Sequence, residues 1–207
     1  MMVTIDPSER SARDNYKLLS GSIIPRPIAF VTTLSSGGVL NAAPYSYFNI
    51  VSSNPPLLSV SVQRKSDGQQ KDTARNAIES GAFVVHIADQ SYIEQLNVTA
   101  ANLPPEESEV EAAGLTPVPS VRIAVPGVAE AKIRMECVLE KAIPLGGTDD
   151  SPACDLLIGK VVFYHLDETV YDDRGYIDAD QLAPIARLAG SDYAGLGERF
   201  SIDRPTS

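Results

Sequence analysis

Residues 41–73 read NAAPYSYFNIVSSNPPLLSVSVQRKSDGQQKDT and combine extended polar segments with a strand and a helix start. LLSVSVQ, at 57–63, alternates apolar with small polar residues, which predicts a half-buried strand. The stretch ends in a cationic loop that opens a helix. Either Asp72 or Thr73 can serve as its cap, and Gly81 is expected to end it. Small residues lie beside a strand, and positive charge lies beside a helix start. This combination predicts a binding site for a flat, phosphorylated ligand.

The elements around this stretch are mostly strands joined by turns. The predicted strands cover 27–34, a segment resuming at 39, 57–63, 83–88, 129–143 and 155–166, and the predicted helices cover 8–20, 71–80, 90–101 and 177–188. SSGG at 35–38 is a turn signal, so the first two strands are expected to form a hairpin. Six or seven strands without regular helical crossovers predict a mainly β fold, a closed antiparallel barrel with peripheral helices, in one domain over 1–207.

The charge of the 207-residue chain restricts its partners. A formal net charge of −10 disfavours nucleic acid and anionic membranes, which both need a positive surface. No apolar run approaches the roughly 20 residues that span a bilayer, and residues 1–17 lack the apolar core of a signal peptide. We therefore expect a cytoplasmic protein with small-molecule partners.

Common catalytic and metal-binding motifs are missing from the sequence. There is no nucleophile elbow, no HExxH pair and no glycine-rich loop of the Walker or Rossmann kind. Cys137 and Cys154 lack C-x-x-C spacing, which indicates core thiols rather than a metal site. His86 lies inside an apolar strand and is expected to be a hydrogen-bonded core residue rather than a base. We therefore nominate no catalytic side chain and no metal ligand, and we expect the acidic stretch 103–113 to be a solvated connector.

Positive charge is concentrated near the second predicted helix. Arg64, Lys65, Lys71 and Arg75 lie close together in an otherwise acidic chain. Lys71 stands at the helix start, where free backbone N–H groups and the helix dipole favour an anion. The alternative is a solvated loop followed by charged first-turn residues. The local excess of positive charge favours a phosphate site.

The segment 42–49, AAPYSYFN, has properties that suit the edge of a heteroaromatic ring. Pro44 cannot donate to a sheet ladder, which leaves nearby backbone groups free. Ser46 and Asn49 offer a hydroxyl and an amide for hydrogen bonds. The alternative is an edge strand with tyrosines on its face.

Four motifs in this order carry a family resemblance: PRPIAFVTT, NAAPYSYFN, SSNPPLLSVSV and R-x6-KDTARN. They resemble the flavin reductase-like family of FMN-binding split-barrel proteins, from about Ser22 to about Ala88, and more loosely at 187–198. The resemblance implies a six-stranded antiparallel Greek-key split β-barrel that forms a homodimer. It also implies an FMN molecule in a groove near the dimer interface.

The resemblance further implies a set of cofactor-binding residues. Thr32 and Thr33 would flank the flavin at the end of the first strand. The ring and ribityl parts would contact Ala43, Pro44, Tyr45, Ser46 and Asn49. The phosphate would contact Arg64, Lys71 and Thr73, with Asp72 orienting its neighbours or capping the helix. Gly190 and Tyr193 are expected near the ring.

The implied activity is that of an FMN-dependent oxidoreductase. NADH or NADPH would deliver hydride to flavin N5, and the protein would bind, orient and tune the ring. One alternative is a non-catalytic FMN-binding electron carrier, flavoredoxin-like, that serves a protein redox partner. Another is a split-barrel protein that has lost flavin or binds a different ligand.

Overall fold

The computed structural model describes residues 1–148 and 150–205. Its helices are α1 (Ala12–Ser22), α2 (Asp72–Ser80), α3 (Ile93–Val98), α4 (Glu109–Ala112) and α5 (Ala179–Leu182), with a 3₁₀ helix at Pro7–Glu9. Its strands are β1 (Arg26–Pro27), β2 (Ala29–Leu34), β3 (Leu40–Tyr45), β4 (Phe48–Ser53), β5 (Pro56–Gln63), β6 (Ala82–Ile87), β7 (Pro117–Val118), β8 (Gly127–Val128), β9 (Ile133–Leu145), β10 (Cys154–Leu166), β11 (Ala186–Arg187) and β12 (Tyr193–Ala194). The predicted mainly β fold is confirmed.

The main sheet has seven antiparallel strands in the order β3-β2-β6-β9-β10-β5-β4. The predicted hairpin around residues 35–38 is confirmed, because β2 pairs with β3 in register from Leu34–Leu40 to Ala29–Tyr45. The predicted six-stranded closed barrel is not what the sheet shows. β4 is a strand of its own, paired with β5, and no ladder joins the edge strands β3 and β4 within 1–148 and 150–205.

Both faces of the central strand β6 are buried. Phe83 and Val85 pack in one apolar cluster with Ala77 of α2. Val84 points the opposite way and packs in a second cluster with Leu96 of α3. Successive strand residues face opposite sides of a sheet, so the continuous apolar run of β6 reflects cover on both sides.

The ends of the helices test the capping predictions. Ser11 caps α1 by accepting a hydrogen bond from the Asp14 amide at 3.1 Å. Gly81 ends α2 in the left-handed region at φ 71°, as predicted. The helix predicted for 90–101 is shorter, and that predicted for 177–188 is one turn followed by strand β11.

The acidic stretch 103–113 differs most from the structure that the sequence predicts. The sequence predicts a solvated connector, but the structure buries Glu109 and Val110. They belong to α4, which contacts β3. Val110 joins the apolar cluster on the α3 side of the sheet, and the Glu109 carboxylate has hydrogen-bond partners on β3.

Two other predictions concern single side chains. His86 is fully buried and hydrogen-bonded, as predicted. Cys137 is a buried free thiol, whereas Cys154 is only half-buried. Among the described helices, none has the length and apolar character needed to cross a membrane.

Candidate functional site

Six of the predicted site residues meet around one cleft of about 540 Å³, which we call the main cleft. They are Ala43, Pro44, Tyr45, Lys71, Asp72 and Thr73. The end of β3 supplies the floor, and the start of α2 supplies one end. The remaining lining residues are Asn41, Lys65, Ser66, Thr99, Ala100, Ala101, Asn102, Leu103 and Glu109.

Two lysines, Lys65 and Lys71, lie with the start of α2 at one end of the main cleft. Lys71 occupies the N-cap position of α2 and makes no side-chain capping bond. The first backbone N–H groups of α2 therefore lack a side-chain acceptor. Within the described residues, neither Lys65 nor Lys71 forms an ion pair. The prediction that Asp72 or Thr73 caps this helix was wrong.

Asp72 and Thr73 point their side chains to protein partners. Asp72 Oδ1 lies 2.5 Å from Arg75 Nη2, although the contact lacks hydrogen-bond geometry. Arg75 therefore has its charge offset within its own helix. Thr73 is buried, and its hydroxyl donates to Asn41 Oδ1 at 2.9 Å.

A buried polar network supports the cleft floor from below. Asn41 Oδ1 also accepts from the Thr33 hydroxyl at 3.2 Å, and Asn41 Nδ2 donates to Glu109 Oε2 at 2.9 Å. The same carboxylate oxygen accepts from the Ala42 amide at 3.1 Å. Burial raises the pKa of Glu109 above its ordinary value even though these hydrogen bonds favour the charged form. The network ties β3 to α2 and α4.

Five predicted site residues lie away from the lining of the main cleft: Thr32, Thr33, Asn49, Arg64 and, in a neighbouring cavity, Ser46. Thr32 and Thr33 are fully buried, and the Thr32 hydroxyl donates to the Pro126 carbonyl at 2.7 Å. Asn49 lies on β4, where its side chain accepts from the Ile50 amide. Arg64, the fourth, has a protein partner of its own.

Arg64 binds a buried carboxylate. Its Nη2 lies 2.7 Å from Asp155 Oδ1 and its Nε lies 3.0 Å from Asp155 Oδ2. Gln70 Nε2 also donates to Asp155, at 3.1 Å. Arg64 thus fixes the start of the loop that carries Lys65, and the adjacent lysine rather than Arg64 lines the cleft.

A smaller cavity of about 280 Å³ adjoins the main cleft, and we call it the side hollow. It shares Pro44, Tyr45 and Ala100 with the main cleft. Ser46 lies here, as does Tyr193, which the sequence placed near the ring. The Arg187 guanidinium stacks on the Tyr193 ring, 4.4 Å from its centre.

An apolar groove of about 670 Å³ shares no lining residue with the main cleft. Asn49 and Ile50 of β4 line it together with Tyr164 of β10 and residues of the loop around Tyr171. Ile50 leaves 74% of its surface exposed. A contiguous exposed apolar surface of this kind is uncommon unless something binds it.

Several cleft residues were missing from the predicted set. Lys65 and Ser66 were within reach, because they belong to the cationic segment quoted above. Glu109 could not be predicted from its local sequence, because it reaches the cleft through hydrogen bonds to Asn41 and Ala42, which are distant in the chain. The segment 99–103 carries no charged residue that would mark it as part of a site.

Comparisons with known proteins agree with the resemblance. Residues 20–181 match the family described as Flavin reductase like domain. The chain is similar to the crystal structure of nitrilotriacetate monooxygenase component B from Bacillus cereus, at 66% identity and a TM-score of 0.96, over 98% of this chain and 99% of that one. It is also similar to uncharacterized protein YwrF of Bacillus subtilis, at 56% identity over 99% of this chain and 100% of the relative.

A third similarity is to the 2-nitrobenzoate 2-nitroreductase NbaA of Pseudomonas fluorescens. The identity is 35% and the TM-score 0.87, over 99% of this chain and 97% of that one. The family match covers well over half of the chain, and the predicted family is confirmed. This chain belongs to the flavin reductase-like family of flavin-binding proteins.

Proposed function

We propose that the chain is an FMN-dependent oxidoreductase that takes electrons from NADH or NADPH. The observation that carries the proposal is the α2 end of the main cleft. In the part of the chain that the structure describes, the start of α2 has no side-chain cap and Lys65 and Lys71 form no ion pair, and both lysines line a cleft whose floor is Pro44 and Tyr45. Family membership supports a flavin as the occupant.

The residues present fit a phosphorylated flavin. A volume of about 540 Å³ lies within the range of roughly 300–1,000 Å³ that is usual for small-molecule sites. Lys65, Lys71 and the first N–H groups of α2 would hold the phosphate, because ammonium groups and a helix start both favour an anion. Pro44 and Tyr45 would face the ring. FMN suits a single phosphate site better than FAD does.

The role of the chain's own residues would be to bind and orient. Burial raises the pKa of the Tyr45 phenol, so this side chain stays neutral beneath the cleft. The Asn41–Thr73–Glu109 network keeps β3 and the start of α2 at a fixed separation. When bound, the flavin supplies the hydride and electron chemistry. The proposal assigns no proton transfer to a side chain.

The similarity to a monooxygenase component favours one particular electron acceptor. A flavin reductase-like chain that is 66% identical to nitrilotriacetate monooxygenase component B is well suited to supply reduced flavin to an oxygenase partner. A second candidate is direct reduction of a small organic acceptor. The 35% identity to a nitroreductase favours that alternative.

We further propose that a second copy of the chain covers the apolar groove. Ile50 and Tyr164, which line the groove, each expose at least half of their surface, and burying such side chains is favourable in an interface. Ile50→Asp should convert a dimer into a monomer, measured by light scattering after gel filtration. A wild-type monomer at micromolar concentration would contradict this part of the proposal.

The visible spectrum of the purified chain tests the activity. We expect flavin absorption after reconstitution with FMN, and bleaching on anaerobic addition of NADH or NADPH. Bound FMN that stays oxidised with both donors would exclude the reductase hypothesis and leave the electron-carrier hypothesis. Failure to bind FMN would remove both.

A further inference from the structure

Two arginines pair across strands beside the side hollow: Arg187 lines it, and Arg26 lies behind it, in contact with the lining residue Ser46. Arg26 on β1 and Arg187 on β11 are direct cross-strand partners in an antiparallel pair. Like charges directly opposite each other in a sheet are destabilising. Within the described residues, neither arginine forms an ion pair with a carboxylate. The protein itself leaves this pair of positive charges uncompensated.

Arg26 is the more costly of the two, because it is only 6% exposed. Its guanidinium donates to the carbonyls of Ser20 at 2.6 Å, Ile23 at 2.5 Å and Leu188 at 2.8 Å. Its Nε donates to Ser46 Oγ at 3.4 Å. These acceptors are all neutral, so the hydrogen bonds are satisfied but the charge is not. A buried charge without a counter-ion favours a nearby anion.

Ser46 and Arg187 present donors to the hollow. The Ser46 oxygen accepts from Arg26, so its own O–H is directed elsewhere. Arg187 uses Nη2 to donate to the Gly190 carbonyl at 2.6 Å. Within the described residues its other N–H groups have no acceptor. The stacking on Tyr193 holds the guanidinium plane in a fixed orientation.

The rest of the hollow suits a single aromatic ring. Tyr16, Ile28 and Pro44 supply aromatic and aliphatic surface. The volume of about 280 Å³ is close to the lower limit of roughly 300 Å³ that is usual for ligand sites. That is enough for one ring with a carboxylate and too little for a whole dinucleotide.

We propose that the side hollow binds a single-ring aromatic carboxylate. Arg187 and the Ser46 hydroxyl contact its carboxylate, and Arg26 contributes its charge from beneath. The place of this ligand beside the flavin rests on the proposed function, because the hollow and the main cleft share Pro44 and Tyr45. The binding of the carboxylate itself does not depend on it.

Calorimetric titration of the full chain with benzoate, benzamide and phenyl phosphate tests the ligand class. We expect benzoate to bind at least about tenfold more tightly than benzamide, because charge-assisted hydrogen bonds are lost with the amide. Equal affinity for the two would overturn the proposal. Much tighter binding of phenyl phosphate would replace the carboxylate with a phosphate and would also overturn it.

Arg187→Gln should weaken benzoate binding by about tenfold or more, and Arg187→Lys by less. The matched control is Arg174→Gln, because Arg174 also lies over a tyrosine ring, that of Tyr176. The control should bind benzoate like the wild type. Unchanged benzoate affinity in Arg187→Gln would contradict the assignment of this residue.

FMN titration of the same variants separates this proposal from the proposed function. We expect Arg187→Gln to keep wild-type FMN affinity while it loses benzoate. A chain that binds FMN but no benzoate at millimolar concentration would overturn this inference alone. A chain that binds benzoate but no FMN would support the site and overturn the proposed function.

Discussion

The interior of the sheet and the main cleft treat polar groups in opposite ways. Inside the sheet, His86 Nδ1 donates to the Phe30 carbonyl at 2.9 Å, and Nε2 accepts from the Val128 amide at 3.0 Å. At the cleft, no side chain among residues 1–148 and 150–205 caps the first N–H groups of α2, and the Lys71 ammonium forms no ion pair there. The interior polar groups hold the fold together, whereas those of the cleft are available to a ligand.

The cationic segment 64–75 contains both kinds of polar group, those with protein partners and those free for a ligand. Arg64 belongs with the interior groups, because buried Asp155 binds its guanidinium through two hydrogen bonds. Lys65, the next residue, belongs with the cleft. Charge alone therefore does not identify a ligand-binding residue, and the partner of each charge decides.

The largest expected effect is on stability, from His86→Leu. The change leaves the Phe30 carbonyl and the Val128 amide buried without partners. Each such group costs about 1–3 kcal/mol, so the free energy of unfolding should fall by about 2–6 kcal/mol. Urea denaturation measures it. His86→Gln should recover part of the loss, because its amide can both donate and accept a hydrogen bond. A result in which His86→Gln loses stability and His86→Leu does not would contradict the account.

The second effect is on ligand affinity, from Lys65→Ala combined with Lys71→Ala. We expect FMN affinity to fall by about 100-fold, because two charge-assisted contacts to phosphate are lost, with little change in the unfolding midpoint. Fluorescence titration with FMN measures the affinity. The matched control is Lys141→Ala with Lys160→Ala, since both lysines are exposed outside the cleft. Equal FMN affinity in the two double variants would remove the phosphate assignment.

The third effect is a pH dependence of stability that His86 should cause. Burial lowers the pKa of His86 from its ordinary 6.5 to about 3, although the Phe30 hydrogen bond opposes the shift. Between these values the unfolded chain binds more protons than the folded one, so stability should fall as pH falls from about 6.5 to about 3. The slope from this group is at most about 1.4 kcal/mol per pH unit.

The His86→Gln variant isolates that contribution, because it retains every other titrating group. The difference in unfolding free energy between wild type and variant should shrink as the pH is lowered from neutral. Parallel pH profiles for the two proteins would show that His86 is not buried in its neutral form.

The smallest expected effect comes from Glu109→Gln, at the border between the two regions. The amide oxygen can keep the hydrogen bonds from Asn41 and Ala42, while the negative charge beside the cleft is removed. FMN affinity should rise by about fivefold, because repulsion between the Glu109 carboxylate and the FMN phosphate costs on the order of 1 kcal/mol of binding free energy. Riboflavin affinity should stay unchanged. Weaker FMN binding in this variant would indicate that the hydrogen-bond network around Glu109, rather than its charge, determines FMN affinity.

The parts of the molecule that the sequence predicted correctly depend on local patterns. The alternation in 57–63, the turn at 35–38 and the glycine after residue 80 each act within a few residues. The phosphate site proposed at the start of α2 rests on a local pattern in the same way, because its lysine and the first N–H groups of the helix are neighbours in the chain.

The parts that could not be predicted depend on distant contacts. Asp155 lies 91 residues from Arg64, and nothing near Arg64 announces this partner. Glu109 lies 68 residues from Asn41, and its acidic surroundings indicated exposure rather than burial. The open edge of the sheet likewise depends on how β3 and β4 are placed, which strand patterns do not specify.

The central claim is that the main cleft holds a flavin by its phosphate. Calorimetric titration of the wild-type chain with FMN and with riboflavin tests it most directly, because the two ligands share the ring and differ in the phosphate. We predict that FMN binds about 100-fold more tightly than riboflavin. Equal affinity for the two ligands would contradict the claim.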